Sequence, residues 1–456
     1  MDLQRRDVTR RTLLKGVAAG LAGSALVPRY QGGARATGTT RYVSVLGSDS
    51  NPGTEASPWR SLRRIRAALG SGELGRGDSV LLKRGETFFG TLYEPSLQGS
   101  KGVFTLGAYG TGPRPNVAGY KISKDAWSRH THHIWKLDIT ANSGQYTGNT
   151  AATSTNAGFL KVAGLIRGRK CPRPAELANQ WDFCNDATFV YVLSSFNPGD
   201  GVAIAIREDG LRPASNSLVE GIHIEGHGGH GIATGGSRDI HIRDCFLENL
   251  GGSRLNPDGT RYGNGIEVWI GASDITIENN TIRECYDAAY TMQGTATADA
   301  RSWTDIHFRH NHVENCNQSF EMWSAGQASK DSGHIRCTFS DNVCLDAGYS
   351  WAATIRPDTA GKGAHVMTYE TALPMDVEVT GNQFIGARDS YLHNSVDGRL
   401  PAGLDLHHNI IKLGPGKKTA YLNPETIEQS ARWQSRTGQE HGSTFGVLTS
   451  DQCMPP

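Results

Sequence analysis

The sequence predicts an all-β solenoid, a parallel β-helix, and three observations predict it. First, the pattern apolar–x–apolar–x–x–Asn–x–apolar recurs between Val219 and Lys412: Ile275–Ile282 with Asn280, Ile306–Val313 with Asn311, Cys337–Cys344 with Asn342, Val377–Phe384 with Asn382, and Leu404–Ile411 with Asn409. Two looser copies begin at Ile222 and Ile240 and carry His227 and Cys245 where the others carry Asn. Copies start 18 to 40 residues apart, the period of stacked repeats. Second, apolar residues alternate within each copy and are rich in Ile, Val, Thr and Phe, with no stripe at helical spacing. Third, each Asn closes its strand. A side-chain amide both donates and accepts, so stacked Asn280, Asn311, Asn342, Asn382 and Asn409 are expected to bond from rung to rung. One copy is too short to bury its own apolar side, and stacking buries it against the neighbours.

A further strand follows in each coil. Aligned on the Asn column, Gly265–Trp269 stacks over Ala288–Met292, Ser319–Trp323, Ser350–Thr354 and Ser390–Asn394. Period-two alternation then points Ile266, Ala289, Phe320, Trp351 and Tyr391 inward. Glu267, Tyr290, Glu321, Ala352 and Leu392 form one outward column, and Trp269, Met292, Trp323 and Thr354 form the next. The placement of Glu267 treats the Gly-, Pro- and Asp-rich stretch 251–263 as an inserted loop.

The chain before the repeats reads in order as a strand at Arg41–Val45, a loop at Gly47–Pro58, an amphipathic helical turn carrying Leu62, Ile65, Arg66 and Leu69, and a strand into a turn at Asp78–Gly90. An open solenoid end exposes apolar side chains and unpaired backbone, which such a helix plugs. Residues 127–217 break the repeat rhythm. Trp181-Asp-Phe183 and Phe189–Leu193 suggest a β-rich insertion there. Residues 37–126 form the cap and first coils, 218–413 the regular coils, and 414–456 a C-terminal cap or tail with a short helix near 424–432.

With these coils and the stretch from Tyr42 to Gly90, the chain resembles the right-handed parallel β-helix, pectate-lyase-like superfamily of secreted carbohydrate-active enzymes. The resemblance implies a right-handed, single-stranded parallel β-helix with an N-terminal capping helix. It leaves the activity open, because the fold hosts lyases, hydrolases, epimerases and non-catalytic adhesins.

Residues 1–36 read as a targeting segment. Arg10-Arg11-Thr12-Leu13-Leu14-Lys15 resembles the twin-arginine export motif, Gly16–Val27 is a short apolar run, and Ala34-Arg35-Ala36 fits small-residue cleavage. A mature chain, expected to be monomeric, would start near Thr37 and be periplasmic or extracellular. No later stretch is apolar enough to span a bilayer. With 46 Lys+Arg against 45 Asp+Glu, no basic excess points to nucleic acid. Of the eight cysteines, Cys285 and Cys316 match on adjacent rungs and read as stacked thiols, export in a folded state arguing against a disulfide. Cys171 and Cys184 are the candidates for a disulfide.

A solenoid interior is packed, so ligands lie along an outer face. Outward Trp269 and Trp323 offer flat faces to sugar rings, unless loops fold over them as satellite core. Glu267 and Glu321 lie two rungs apart, about 9–10 Å between backbones. That spacing suits the acid and base of an inverting glycosidase, about 6.5–9.5 Å apart, better than the ~5 Å of a retaining one. Tyr290, between them, is expected to bond substrate or tune a carboxyl. Long connections at Leu250–Asn264, Gln293–Trp303, Ser324–Ser332 and Arg356–Pro374 would wall the site. The last carries Arg356, Asp358, Lys362, His365, Tyr369 and Glu370. Arg356, His365, Tyr369 and Glu370 are expected to contact a polysaccharide substrate. In an alternative reading they form a lyase, with Arg356 neutralising a uronate and Tyr369, His365 or Lys362 removing the α proton. A third reading is a non-catalytic carbohydrate-binding solenoid. No cofactor is expected. A Ca²⁺ site is the lesser alternative, because the outward acids form no dense cluster. The histidines, His407-His408 among them, read as surface or ladder positions and are not assigned as metal ligands.

Overall fold

The computed structural model describes residues 38–449 and Gln452, apart from 95–96, 98, 100, 142–143, 150–153, 257–258, 297–300, 328, 330, 357–361 and 397. The expected export segment, Asp358 and Cys453 lie outside the described residues.

Each regular coil gives one strand to each of three parallel sheets. Ser273–Glu278, Thr281–Cys285 and Ala288–Ala296 make one such coil, and Ser302–Arg309 opens the next. Sheet one runs from Thr40–Val43 to Leu404–His407, sheet two from Thr87–Phe89 to Thr444–Val447, and sheet three from Leu92–Tyr93 to Lys418–Leu422, where Glu425–Ile427 adds an antiparallel edge. The repeat residues stack in register: Ile277 on Phe308, Phe308 on Phe339, Phe339 on Val379, and Val379 on Leu406. All five are fully buried in one continuous core. The fold is a right-handed parallel β-helix.

The Asn ladder forms as the amide chemistry requires. The backbone N–H and Nδ2 of Asn280 both donate to Asn311 Oδ1 (3.0 and 3.2 Å), and the same pair of bonds links Asn311 to Asn342, Asn342 to Asn382, and Asn382 to Asn409. Each Nδ2 also donates to a carbonyl of the preceding coil, as Asn342 does to Phe308 O at 3.1 Å. The residue before each Asn turns with positive φ, at Asn279, His310, Asp341, Gly381 and His408. The ladder ends on buried Glu440: Asn409 Nδ2 donates to its Oε2 (3.1 Å), and the Tyr391 hydroxyl donates to its Oε1.

At the other end, helix Leu62–Ser71 covers the open core with Leu62, Ile65, Ala68 and Leu69. Ser61 caps it by accepting from the Arg64 N–H, and Asp49 in turn accepts from the Ser61 hydroxyl.

Between Asn116–Ala118 of sheet two and Leu211–Arg212 of sheet three, the chain leaves the solenoid for two antiparallel sheets. Their strands begin at Tyr120–Ser123 and end at Ala203–Ile206, so the insertion opens ahead of residue 127. Tyr120–Ser123 reads like another solenoid strand, and its antiparallel partners Tyr146–Gly148 and Ala203–Ile206 lie far along the chain. Past residue 413 the coils continue. Lys418–Leu422 and Thr444–Val447 extend sheets three and two after the repeat has faded, and a helix covers Ser430–Thr437.

One expected rung is absent. Ser350–Thr354 is not a strand: Trp351–Thr354 is a single 3₁₀ turn, and Ala364–Thr371 supplies that coil's strand in sheet three. The 40-residue step between the copies at Cys337 and Val377 holds an inserted loop, so a constant distance from the Asn column fails there. The seven described cysteines are free and buried. Cys285 lies in hydrogen-bonding reach of Cys316, and Cys171 and Cys184 share a small apolar cluster with Leu177 and Tyr191.

Candidate active site

Sheet three places Ala233, Glu267, Thr291, Glu321, Met367, His393 and Tyr421 in one column, rung over rung. Glu267 and Glu321 therefore share a stripe with a single small residue, Thr291, between them. The next outward column sets Trp269 over Gln293 over Trp323. The two indole rings lie 6.3 Å apart and tilted by 39°. Trp269 is 38% exposed, so loops do not bury it.

Tyr290 is not in this stripe. It stacks between Ile266 and Phe320 and is fully buried in the core. The turn leading into Ala288 is one residue longer than its counterpart before Gln318: Arg283 pairs with Glu314, but Ala288 pairs with Gln318. A one-residue slip exchanges the two faces of a strand, so Thr291 stands where Tyr290 was expected. His365 is also interior. It is fully buried, its Nδ1 lies 3.0 Å from Ser319 Oγ, and burial pushes its pKa down to about 3. It contacts no substrate. Tyr369 and Glu370 are exposed, in a bulge where Ala364–Thr371 slips against the strand bearing Trp323. Arg356 reaches the site from the inserted loop. Its guanidinium donates to Asp287 Oδ1 (2.7 Å) and to Tyr286 O (3.1 Å) and lies over the Tyr286 ring.

Residues missed in the sequence complete the site. His230 Nε2 lies 3.1 Å from Glu267 Oε2. The backbone N–H of Asn264 donates to His230 Nδ1 (3.1 Å), so the ring's own proton sits on Nε2 and points at the Glu267 carboxylate. His230 is held in turn by its backbone N–H, which donates to Asp209 Oδ1 (2.9 Å), and by an edge-on contact with the Tyr262 ring. Asp209 is gripped by Arg212 at 2.6 and 2.8 Å. Gln293 Nε2 donates to Glu321 Oε1 (2.8 Å). Asp287 occupies the lengthened turn and acts electrostatically on both Glu267 and Glu321. His230 sits in the Gly-rich run 228–231 and Asp209 just after the insertion. Neither carries a repeat signature, and only the register shows that they face Glu267.

The Glu267 and Glu321 carboxyls are both raised above the usual carboxylate range. Burial, reinforced by Asp287 and opposed by Arg356, Gln293 and Lys362, pushes Glu321 from 4.5 up to about 8. Burial also raises Glu267, with Asp209 and Asp287 adding to the rise and His230 and Arg212 opposing it. Glu267 and Trp269 line a cavity of about 660 Å³ with Glu94, Arg212 and Ala233. Farther along the sheet a second cavity of about 570 Å³ is lined by Lys362, Tyr369, His393, Lys418 and Tyr421. In the column order Glu321 stands between these two sets of residues. The 251–263 loop and the insertion wall one side: Arg207 Nε lies 3.3 Å from the Tyr262 hydroxyl, and Trp351 packs between Phe159 of the insertion and Tyr286.

Residues 211–384 match the family described as right handed beta helix region. The structure of XylC in complex with xylose superposes with a TM-score of 0.51 at 12% identity, over 89% of this chain and 82% of that one. The lacto-N-biosidase of Eubacterium ramulus gives a TM-score of 0.40 at 13% identity, over 90% and 68%. A curated relative, a lacto-N-biosidase of Bifidobacterium longum subsp. longum, is 29% identical over 179 residues, 36% of this chain. The chain spans only 11% of that relative's length. The coil architecture and the match over residues 211–384 agree on the fold, a right-handed parallel β-helix. Among the described residues no helix is long and apolar enough to cross a membrane.

Proposed function

We propose that the protein is a carbohydrate-degrading enzyme that hydrolyses glycosidic bonds of a polysaccharide in the groove over sheet three. The observation that carries this is the pairing of Glu267 and Glu321 on one outward column with one rung between them. Their backbones stand two rung spacings apart, about 9–10 Å, and side chains leaning toward a bound sugar bring the carboxyls into the inverting range.

In this reading Glu321 is the general acid. A carboxyl held near 8 keeps its proton at neutral pH and delivers it to the leaving oxygen. Glu267 is the base. The His230 N–H stabilises its ionised form and fixes its orientation while it draws a proton from water. Trp269 and Trp323 stack sugar rings on either side of Gln293. The partial match to a lacto-N-biosidase supports a hydrolase. The lyase reading loses two of its parts: His365 is sealed in the core, and Arg356 is already paired with Asp287. Export by the twin-arginine route, action outside the cytoplasm and a monomeric state complete the proposal.

The test is cleavage of a panel of plant, algal and bacterial polysaccharides, following both reducing ends and the absorbance of unsaturated uronates. New reducing ends without absorbance support hydrolysis. Both signals together mean β-elimination, and binding with neither means a lectin-like solenoid. Either result overturns the reading.

A further inference from the structure

The last coil carries a cluster that the groove does not use. His407 ends the final strand of sheet one, His408 is the positive-φ residue before Asn409, and His441 pairs with His407 across a parallel bridge. One nitrogen from each ring lies within 4.8 Å of those of the other two. The His407 and His441 rings stack at 4.8 Å, and His408 stands nearly perpendicular to both. His407 Nδ1 and His408 Nδ1 are 2.7 Å apart.

We propose that His407, His408 and His441 bind a divalent transition-metal ion of the Zn²⁺ class. The protonation pattern favours it. Glu378 Oε1 lies 2.8 Å from His407 Nε2, which places the proton there and leaves the Nδ1 lone pair facing His408. A carboxylate on the far nitrogen is how metal-ligating histidines are oriented. The Thr380 hydroxyl (3.0 Å) and the His408 Nδ1–H (2.7 Å) are the competing donors to this Nδ1, and the metal displaces both, the His408 proton leaving that nitrogen for its Nε2 or for solvent. Zinc–nitrogen bonds of about 2.0–2.1 Å set tetrahedral ligand nitrogens about 3.3 Å apart. The His407–His408 pair therefore opens by roughly half an ångström on binding, a small rotation that the exposed His408 ring supplies. Three imidazoles without thiolate suit Zn²⁺, Ni²⁺ or Cu²⁺ and not Ca²⁺.

Earlier coils hold Glu278, Arg309, Ser340 and Thr380 at the His407 position and Asn279, His310, Asp341 and Gly381 at the His408 position. Among the described residues three imidazoles gather at these positions on the last coil, where the closing segment lays His441 on His407. His441 follows Glu440, the residue that closes the Asn ladder. A shared metal ties this closing segment to the coil beneath it, so its role is to fasten the C-terminal end of the solenoid.

The probe is Zn²⁺ alone, titrated calorimetrically into tag-free protein first dialysed against EDTA, with thermal unfolding in parallel. One equivalent is expected, with a Tm several degrees higher in Zn²⁺. His408→Ala, at an exposed ring, is expected to fold normally and to lose both effects. Glu378→Gln is expected to weaken binding about tenfold. Glycosidic cleavage is expected to be the same with and without Zn²⁺, so this site and the groove fail independently. No saturable binding, or equal binding by His408→Ala, overturns the proposal.

Discussion

Sheets one and three are built from the same coils, yet they treat their outward charges in opposite ways. On sheet one, acids meet bases across rungs: Glu220 with Arg243 (2.7 Å), Glu278 with Arg309 (2.7 Å) and His241 (2.9 Å), and Asp305 with Arg336 (2.5 Å). The Glu220 and Asp305 pairs lie partly in water, the Glu278 pairs are mostly buried, and in each the acid meets a cationic or imidazole partner on a neighbouring rung. On sheet three, Glu267 and Glu321 are more than nine-tenths buried, and among the described residues neither bonds a guanidinium or ammonium. Their partners are an imidazole N–H and an amide. Arg212 and Arg356 stand nearby but are engaged by Asp209 and Asp287. Desolvated acids without a cationic partner are candidates for chemistry, and that contrast is why the proposed reaction is assigned to sheet three.

The sharpest way to break this comparison is Glu321→Gln. Loss of a general acid is expected to lower turnover by about 10²–10⁴-fold. In the wild type, the alkaline limb of activity is expected near pH 8, as Glu321 loses its proton. The stability sign is opposite to that of a paired acid. Between about 4.5 and 8 the native state holds a proton that the unfolded chain has released, so this group's contribution falls as pH rises through that window. Gln carries no such penalty, so the variant is expected to match or exceed wild-type Tm at pH 8. Undiminished cleavage, or a clear drop in Tm at that pH, would place Glu321 among the structural charges.

The solenoid was legible because its cause repeats. Alternation and the Asn column are written several times over, and errors in one copy are corrected by the others. The site was legible only in part because it depends on what differs between copies. Glu267 and Glu321 share one column and Trp269 and Trp323 the next, as expected, because matched Glu-x-Trp triplets survive alignment. Tyr290 was misplaced by a single extra residue in a turn, and His365 because an inserted loop displaced its strand. His230, Asp209 and Asp287 come from turns and from the edge of the insertion. Their convergence on Glu267 follows from coil stacking, which no local pattern encodes.

The interior offers a control without charge. Asn342→Ala leaves Asn311 N–H and Phe308 O buried without their partner. The expected cost is about 2–3 kcal/mol, read from the midpoint of urea unfolding, with cleavage unchanged at temperatures where the protein stays folded. A loss below about 0.5 kcal/mol would show the ladder to be replaceable by water.

The aromatic column of sheet three sharpens the contrast on the substrate side. Trp323→Ala removes one face of the stacked platform. About 1–2 kcal/mol of binding is expected to go with it, roughly a tenfold rise in KM, with kcat little changed. Because Gln293 and Glu321 keep their bond between the two columns, the pH profile is expected to stay in place. A shifted alkaline limb would instead mean that the indole shields the acid.

The smallest effect belongs to sheet one. Arg243→Ala removes the partner of Glu220, but both side chains are more than one-third exposed. Water screens the pair, and the expected change in stability is about 0–0.5 kcal/mol, shrinking further in high salt. Activity should not move, since neither residue faces the groove. The value of this variant lies in its contrast with Glu321→Gln: one removes a visible ion pair and is expected to change almost nothing, the other removes an acid with no ion pair among the described residues and is expected to lower turnover by orders of magnitude. If Arg243→Ala instead unfolded the protein or slowed cleavage tenfold, the charges of sheet one would be more than neutralised neighbours, and the division of labour between the two faces would have to be redrawn.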